Sequence, residues 1–165
     1  MVESAVIAIC GVPGVGKTTV AEMFQEQLQC ERLRTDEIRQ AVVEEPEYTE
    51  EERKKVYNEM FARIHTLIVE DGVVVLDGTF TEQERRNELY NVVSDARVVF
   101  IKVECDEKRV IERIRERNGI SDADESVYRE LREKFHPIDS DYTIDNSYTK
   151  AQTQRQVAQI IEELQ

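Results

Sequence analysis

Gly11-Val12-Pro13-Gly14-Val15-Gly16-Lys17-Thr18 fills every fixed position of the pattern G-x-x-x-x-G-K-[ST]. Its glycines allow a tight turn whose backbone N–H groups point inward around a phosphate chain. Lys17 then reaches the β- and γ-phosphates, and the Thr18 hydroxyl is placed to hold Mg²⁺. The flanks supply the context that the loop needs. Ala5 to Cys10 is a continuous apolar run suited to a buried parallel strand. Thr19 to Gln29 reads as a helix, with Val20, Phe24 and Leu28 four apart on one face. The positive end of that helix would face the phosphates. Gly11, Pro13, Gly14, Val15, Gly16, Lys17, Thr18 and Thr19 are therefore the expected ATP contacts.

Outward from this loop, strand and helix signals alternate to the end of the chain. Glu31 to Arg34 is a short second strand, with Asp36 at its exit and a helix after it. Thr49-Glu50-Glu51-Glu52 forms a capping box that opens a long helix to about Glu70. Val73 to Leu76 is a third buried strand, ending at Asp77-Gly78-Thr79. Thr81-Glu82-Gln83-Glu84 is a second capping box, opening a helix to about Val93. Val98 to Val103 is a fourth strand, and Asp106 to Arg117 a helix. A loop from Asn118 to Asp124 and a helix to Lys134 follow. Tyr142 to Asp145 is the last strand, and Thr149 to Leu164 closes the chain as an amphipathic helix.

Such alternation predicts an α/β fold of three layers, with a five-stranded parallel sheet between helices and a helical lid over about residues 106–134. At 165 residues the expectation is one domain spanning 1–165. Ligands in these sheets sit beyond the carboxyl ends of the strands. The phosphate loop, Asp36, Asp77 to Thr79, and Asp145-Asn146 should thus converge on one edge.

Composition narrows the partners. The formal charge is −13, and Arg outnumbers Lys by about two to one. That surface repels polyanions and disfavours a large nucleic-acid footprint; it also suits a high-salt cytoplasm. Neither a membrane span nor a signal-peptide pattern is legible, which points to a cytoplasmic protein. Cys10, Cys30 and Cys105 are scattered, as for buried reduced thiols. His65 and His136 stand alone, without zinc-ligand spacing.

The chain has no N-K-x-D guanine-reading motif, and its length leaves no room for the apparatus of a large assembly ATPase. Phosphoryl transfer to a hydroxyl needs a base, Mg²⁺ ligation and cations over the moving group. Asp36 is the candidate base, its alternative being a helix N-cap. Arg39, one helical turn on, is placed to clamp an acceptor anion. Asp77 ends an apolar strand as a metal-holding acid would, and Thr79 is a weaker acceptor contact. Arg109, Arg113 and Arg117 share one helix face before the lid loop; a solvated face pairing with Glu112 and Glu116 is the alternative.

These residues resemble the small P-loop kinases that include polynucleotide 5′-kinases, gluconate and adenylylsulfate kinases, and zeta-type toxins. The resemblance rests on the loop, Arg34-x-Asp36-x-x-Arg39, Asp77-Gly78-Thr79, Arg113 with Arg117, and Asp141 to Asn146. It implies Asp36 as base and Arg39 as ligand of an acceptor phosphate. It further implies Arg113 and Arg117 on the ATP phosphates, and Asn146 with Ser147 near adenine. The expected activity is transfer of the γ-phosphoryl of ATP, with Mg²⁺, to a hydroxyl of a small metabolite or nucleoside. A 5′-hydroxyl kinase of nucleic acid and an ATP-binding regulatory switch are the competing readings. A strip of Arg34, Arg39, Arg85 and Arg86 along the acceptor side would favour the former, and a closed acceptor cleft or an unpaired Asp36 the latter.

Overall fold

The apolar run that precedes the phosphate loop becomes the middle strand of the sheet, because it carries apolar side chains on both faces. Ile7 and Ile9 enter one core, while Val6, Ala8 and Cys10 enter the other. The computed structural model describes residues 3–118 and 122–165, with the side chains at 117, 118, 122–124 and 127 outside the description. Five strands, β1 (Ala5–Cys10), β2 (Glu31–Arg34), β3 (Val73–Asp77), β4 (Arg97–Glu104) and β5 (Tyr142–Asp145), pair in the order β2-β3-β1-β4-β5. All four pairings are parallel. After β1 the chain lays down the edge strand β2, fills the gap between them with β3, and then crosses to the other side of β1 for β4 and β5, so the loop after β1 lies at the switch point where such sheets bind ligands.

The helices are α1 (Lys17–Leu28), α2 (Thr35–Val42), α3 (Glu50–Asp71), α4 (Gln83–Val92), α5 (Glu107–Asn118), α6 (Asp122–Lys134) and α7 (Lys150–Leu164). Residues of α1, α5, α6 and α7 fill one core, and residues of α2, α3 and α4 the other. This is the three-layer α/β/α arrangement. Among the described residues no helix is long and apolar enough to cross a membrane.

Three local expectations are corrected. Helix α1 begins at Lys17 rather than Thr19, because Gly16, in the left-handed region at φ 95°, turns the loop straight into the helix. The capping box at Thr81 does not form. Helix α4 starts at Gln83 with no side-chain cap from its N-cap residue Glu82, and the Gln83 N–H donates to His136 Nδ1 at 3.1 Å. The Thr81 carbonyl is held instead by the His136 N–H at 2.9 Å and by Arg86. The loop expected over Asn118 to Asp124 is shorter: α5 runs through Asn118 and α6 starts at Asp122. Residues 119–121, including the expected hinge Gly119, lie outside the described residues.

Arg86 is the deepest charge in the fold at 1% exposure. It donates to the carbonyls of Phe80 at 2.8 Å, Thr81 at 3.3 Å, His136 at 2.7 Å and Pro137 at 3.0 Å. It thereby ties the segment after α6 to the loop after β3. Replacing it with methionine removes this donor from the Phe80, His136 and Pro137 carbonyls, while Thr81 keeps the His136 N–H. We expect a loss of about 3 kcal/mol in urea unfolding. A loss under ~1 kcal/mol would show that water replaces the guanidinium at no cost.

The cysteines are free, but only two are buried; Cys105 is half-buried, just past β4 where the sheet opens. Burial pushes the Cys10 thiol up to about 12 and the Cys30 thiol up to about 11; it raises the Cys105 thiol as well, but that sulfur is the one of the three that solvent reaches. Iodoacetamide at pH 8 should therefore modify the folded protein at Cys105 alone, as read by intact mass and peptide mapping. Labelling of Cys10 without unfolding would contradict the packing described.

Candidate functional site

The loop after β1 is supported from beneath. Asn146, just past β5, donates from Nδ2 to the Val15 carbonyl at 2.9 Å and accepts at Oδ1 from Thr153 Oγ1 of α7 at 2.8 Å. A β-carbon at Gly16 would collide with that amide nitrogen, so glycine is required there by space as well as by backbone angle. Asn146 is buried, and its amide serves the loop from below. Val15 is buried beside it, and Gly11 N–H donates to Thr79 O at 3.4 Å.

Pro13, Gly14, Gly16, Lys17, Thr18 and Thr19 line a cavity of about 320 Å³ with Asp36, Asp77 and Thr79. Lys17 Nζ curls over the loop and donates to Val12 O at 3.2 Å. Burial pushes its pKa below the usual lysine value, against the pull of Asp77 and Asp36. Thr18 Oγ1 donates to Asp77 Oδ2 at 2.9 Å. Burial raises the Asp77 pKa, opposed by that hydrogen bond and by Lys17 and Arg34. Arg34 Nε lies 3.4 Å from Asp77 Oδ2.

Asp36 sits in the first turn of α2, whose N-cap is Arg34, so it does not cap the helix. Its exposed carboxylate is flanked by Arg39 Nη1 at 3.3 Å and Arg34 Nη2 at 3.7 Å. Beyond it opens a second cavity of about 850 Å³. Pro13, Thr35, Asp36 and Thr79 belong to the walls of both cavities. Asp36 therefore stands at the passage between the loop that would hold a triphosphate and a space large enough for a second small molecule.

Besides Arg85, the larger cavity contains residues that carry no sequence signal for an acceptor site: Tyr48, Arg53, Tyr57 and His136. With Arg85 they come from four separate segments, and spacing along the chain does not foretell their meeting. Its cations are paired with carboxylates. Arg39 Nε lies 3.0 Å from Glu52 Oε1, Arg53 meets Glu50 and Glu82, and Arg85 meets Glu50 at 2.6 Å and Glu88 at 3.0 Å. Lys134 meets Glu130 at 2.9 Å. Arg86 turns away to backbone carbonyls, so Arg34, Arg39, Arg85 and Arg86 do not make an unpaired basic strip.

Arg113, on α5, donates from Nη2 to Asn146 O at 3.1 Å, and its Nη1 lies 3.6 Å from where a Gly16 β-carbon would stand. It thus lies against the phosphate loop. Arg109 pairs with Glu112, and Arg115 with Glu125 of α6. The Arg117 side chain lies outside the described residues.

This sheet order and this loop define a P-loop protein of the α/β class. The chain belongs to the AAA domain family, whose pattern matches residues 6–138. Among curated proteins none matches the sequence. Solved structures of the same fold include a gluconokinase from Sinorhizobium meliloti 1021, 19% identical, covering 99% of this chain and 97% of that one at TM-score 0.73. The Mycobacterium tuberculosis APS kinase CysC, in complex with AMPPNP and APS, is 16% identical over 99% of both chains at TM-score 0.71. Shikimate kinase from Bacteroides thetaiotaomicron is 16% identical, covering 97% of this chain and 98% of that one at TM-score 0.68.

Proposed function

We propose that the protein is an ATP- and Mg²⁺-dependent kinase of a small hydroxyl-bearing molecule. The observation that carries this reading is Asp36 at the junction of the loop cavity and the larger cavity, where Thr79 also lines both. The similar structures named for gluconate, shikimate and APS phosphorylation support it.

ATP would place its β- and γ-phosphates against the N–H groups of the loop, with Lys17 over them and Arg113 at the α5 side. Asp77 and Thr18 present adjacent oxygens of the kind Mg²⁺ prefers. Among the described residues no cluster of three or more His, Cys, Asp or Glu would hold a metal by itself, as fits an ion shared with nucleotide phosphates. Mg²⁺ bound there would neutralise charge developing on the phosphate oxygens. The acceptor lies in the larger cavity with its hydroxyl at Asp36. Its oxygen forms a bond to the γ-phosphorus, the bond to the β,γ-bridging oxygen breaks, and ADP leaves. The hydroxyl proton passes to the Asp36 carboxylate. Arg34 and Arg39 orient that carboxylate. Arg117 would join Arg113 on the ATP phosphates, and the region of about residues 106–134 would act as the lid that excludes water.

The open cavity and the paired Asp36 favour a kinase over a regulatory switch. Paired cations in an acidic chain favour a small acceptor over a polynucleotide. A transfer screen from γ-labelled ATP across sugars, sugar acids, nucleosides and 5′-hydroxyl oligonucleotides tests the reading. Label on a small alcohol supports it, and label on oligonucleotides alone would replace it.

A further inference from the structure

The larger cavity carries a feature that polyol chemistry does not require. Tyr48 lines it with 61% of its surface exposed, although it is a large aromatic in an otherwise well-packed fold. Its backbone lies in the left-handed region at φ 56°, which is uncommon for a residue of this type. That conformation is held from three directions. Glu52 Oε2 accepts the N–H groups of Glu47 at 2.7 Å and Tyr48 at 3.0 Å, and Arg53 Nη2 donates to Tyr48 O at 3.1 Å. Glu52 is thus turned away from the Thr49 N–H that a full capping box would use, and serves the preceding loop. Its other oxygen pairs with Arg39.

One face of the Tyr48 ring is occupied: the Arg39 guanidinium carbon lies 4.9 Å from the ring centre. The same guanidinium reaches Asp36 Oδ1 at 3.3 Å. A single arginine therefore joins the ring to the carboxylate at the loop cavity. A guanidinium stacked on a fixed, exposed ring leaves the other face of that ring as a platform for a planar group.

We infer that the acceptor is an uncharged heteroaromatic alcohol of the nucleoside class, its ring stacked on Tyr48 and its hydroxyl directed to Asp36. This rests on the kinase reading for its chemistry, and on the cavity alone for its binding. Three observations point the same way. Each described arginine and lysine on the cavity wall already has a carboxylate or a carbonyl, so none is set aside for a substrate anion. The net charge of −13 repels an anionic acceptor and leaves a neutral one unaffected. Of the other described rings on the wall, Tyr57 is buried and its hydroxyl accepts the Phe80 N–H at 3.0 Å, and the His136 imidazole accepts the Gln83 N–H at Nδ1, which leaves Tyr48 as the uncommitted ring.

The test uses the whole chain saturated with a non-hydrolysable ATP analogue, so that added nucleoside cannot enter the nucleotide site. Saturation-transfer NMR then measures binding of adenosine, guanosine, cytidine and uridine, with gluconate and shikimate as non-aromatic controls. At least one nucleoside should bind, and Tyr48→Ala should weaken it roughly 10-fold or more. Tyr48→Phe should bind like wild type, because the ring and not the hydroxyl is the platform. The exposed position of Tyr48 makes loss of folding avoidable, and unchanged affinity for the ATP analogue verifies it. Absence of nucleoside binding, or equal binding in Tyr48→Ala, overturns the inference. Transfer of label to gluconate or shikimate, indifferent to Tyr48→Ala, also overturns it while leaving the kinase reading intact. Nucleoside binding through Tyr48 with no transfer from ATP does the reverse: the platform stands and the kinase reading falls.

Discussion

Lys17→Ala will abolish phosphoryl transfer while the protein stays folded. Lys17 lies in the first turn of α1, half-buried, with its ammonium curled onto the Val12 carbonyl at 3.2 Å. Burial has lowered its pKa, and the nearby Asp77 and Asp36 offset part of that cost. A triphosphate entering the loop would supply the full countercharge. The interaction would strengthen as charge moves onto the bridging oxygen, so its loss should fall on turnover. We expect transfer from γ-labelled ATP to drop by roughly 10²- to 10³-fold or more. The fold should survive, because the strands and cores of the sheet do not rest on this side chain, and circular dichroism melting would verify it. Full activity in a well-folded Lys17→Ala protein would sink the assignment of the loop as a catalytic triphosphate site.

The second large effect is expected at Asp36. Asparagine keeps the size and one oxygen but cannot take a proton from an attacking hydroxyl. Turnover should fall by roughly 10²-fold or more, while affinity for ATP changes little. The separation follows from the site: the loop, Lys17 and the Thr18–Asp77 pair remain whole, and Asp36 faces the second cavity as well as the first. The comparison of kcat with nucleotide binding is therefore the informative measurement. A helix cap at Asp36 would predict lost stability instead, but the structure already assigns the N-cap of α2 to Arg34. Turnover within a few-fold of wild type would remove Asp36 from the chemistry and return the larger cavity to an unassigned state.

Both predictions concern residues that were legible in the sequence, for different reasons. Lys17 is part of a contiguous pattern whose mechanics are local: a tight turn, inward N–H groups and one cation. Asp36 and Asp77 were legible through topology, since alternating elements place the ends of parallel strands along one edge. Asn146 shows where such reasoning stops. The family resemblance implies a place near the nucleotide base, and only the fold shows that its amide also joins Val15 to Thr153 beneath the loop. The arginines show the same limit more sharply. Arg34, Arg39, Arg85 and Arg86 look alike as letters. Only the fold reveals that three are tied to carboxylates near the cavities and that the fourth is buried as a clamp on backbone carbonyls.

What the sequence by itself determined was the local and the periodic. The phosphate loop, the strand and helix alternation, the order of the elements and the apolar faces follow from spacing of two or about 3.6 residues and from fixed loop chemistry. The tertiary structure alone decided which distant side chains share a cavity. Tyr48 and Glu52 precede and open α3, Arg39 lies on α2, and Asp36 begins that helix, yet one guanidinium connects them across the acceptor space. The failed cap at Thr81 has the same origin: α4 starts later, at Gln83, where His136 from far along the chain accepts the Gln83 N–H and donates to the Thr81 carbonyl. Local signals survive only where no stronger long-range partner competes for the same hydrogen-bonding groups, and those partners become neighbours only once the chain has folded.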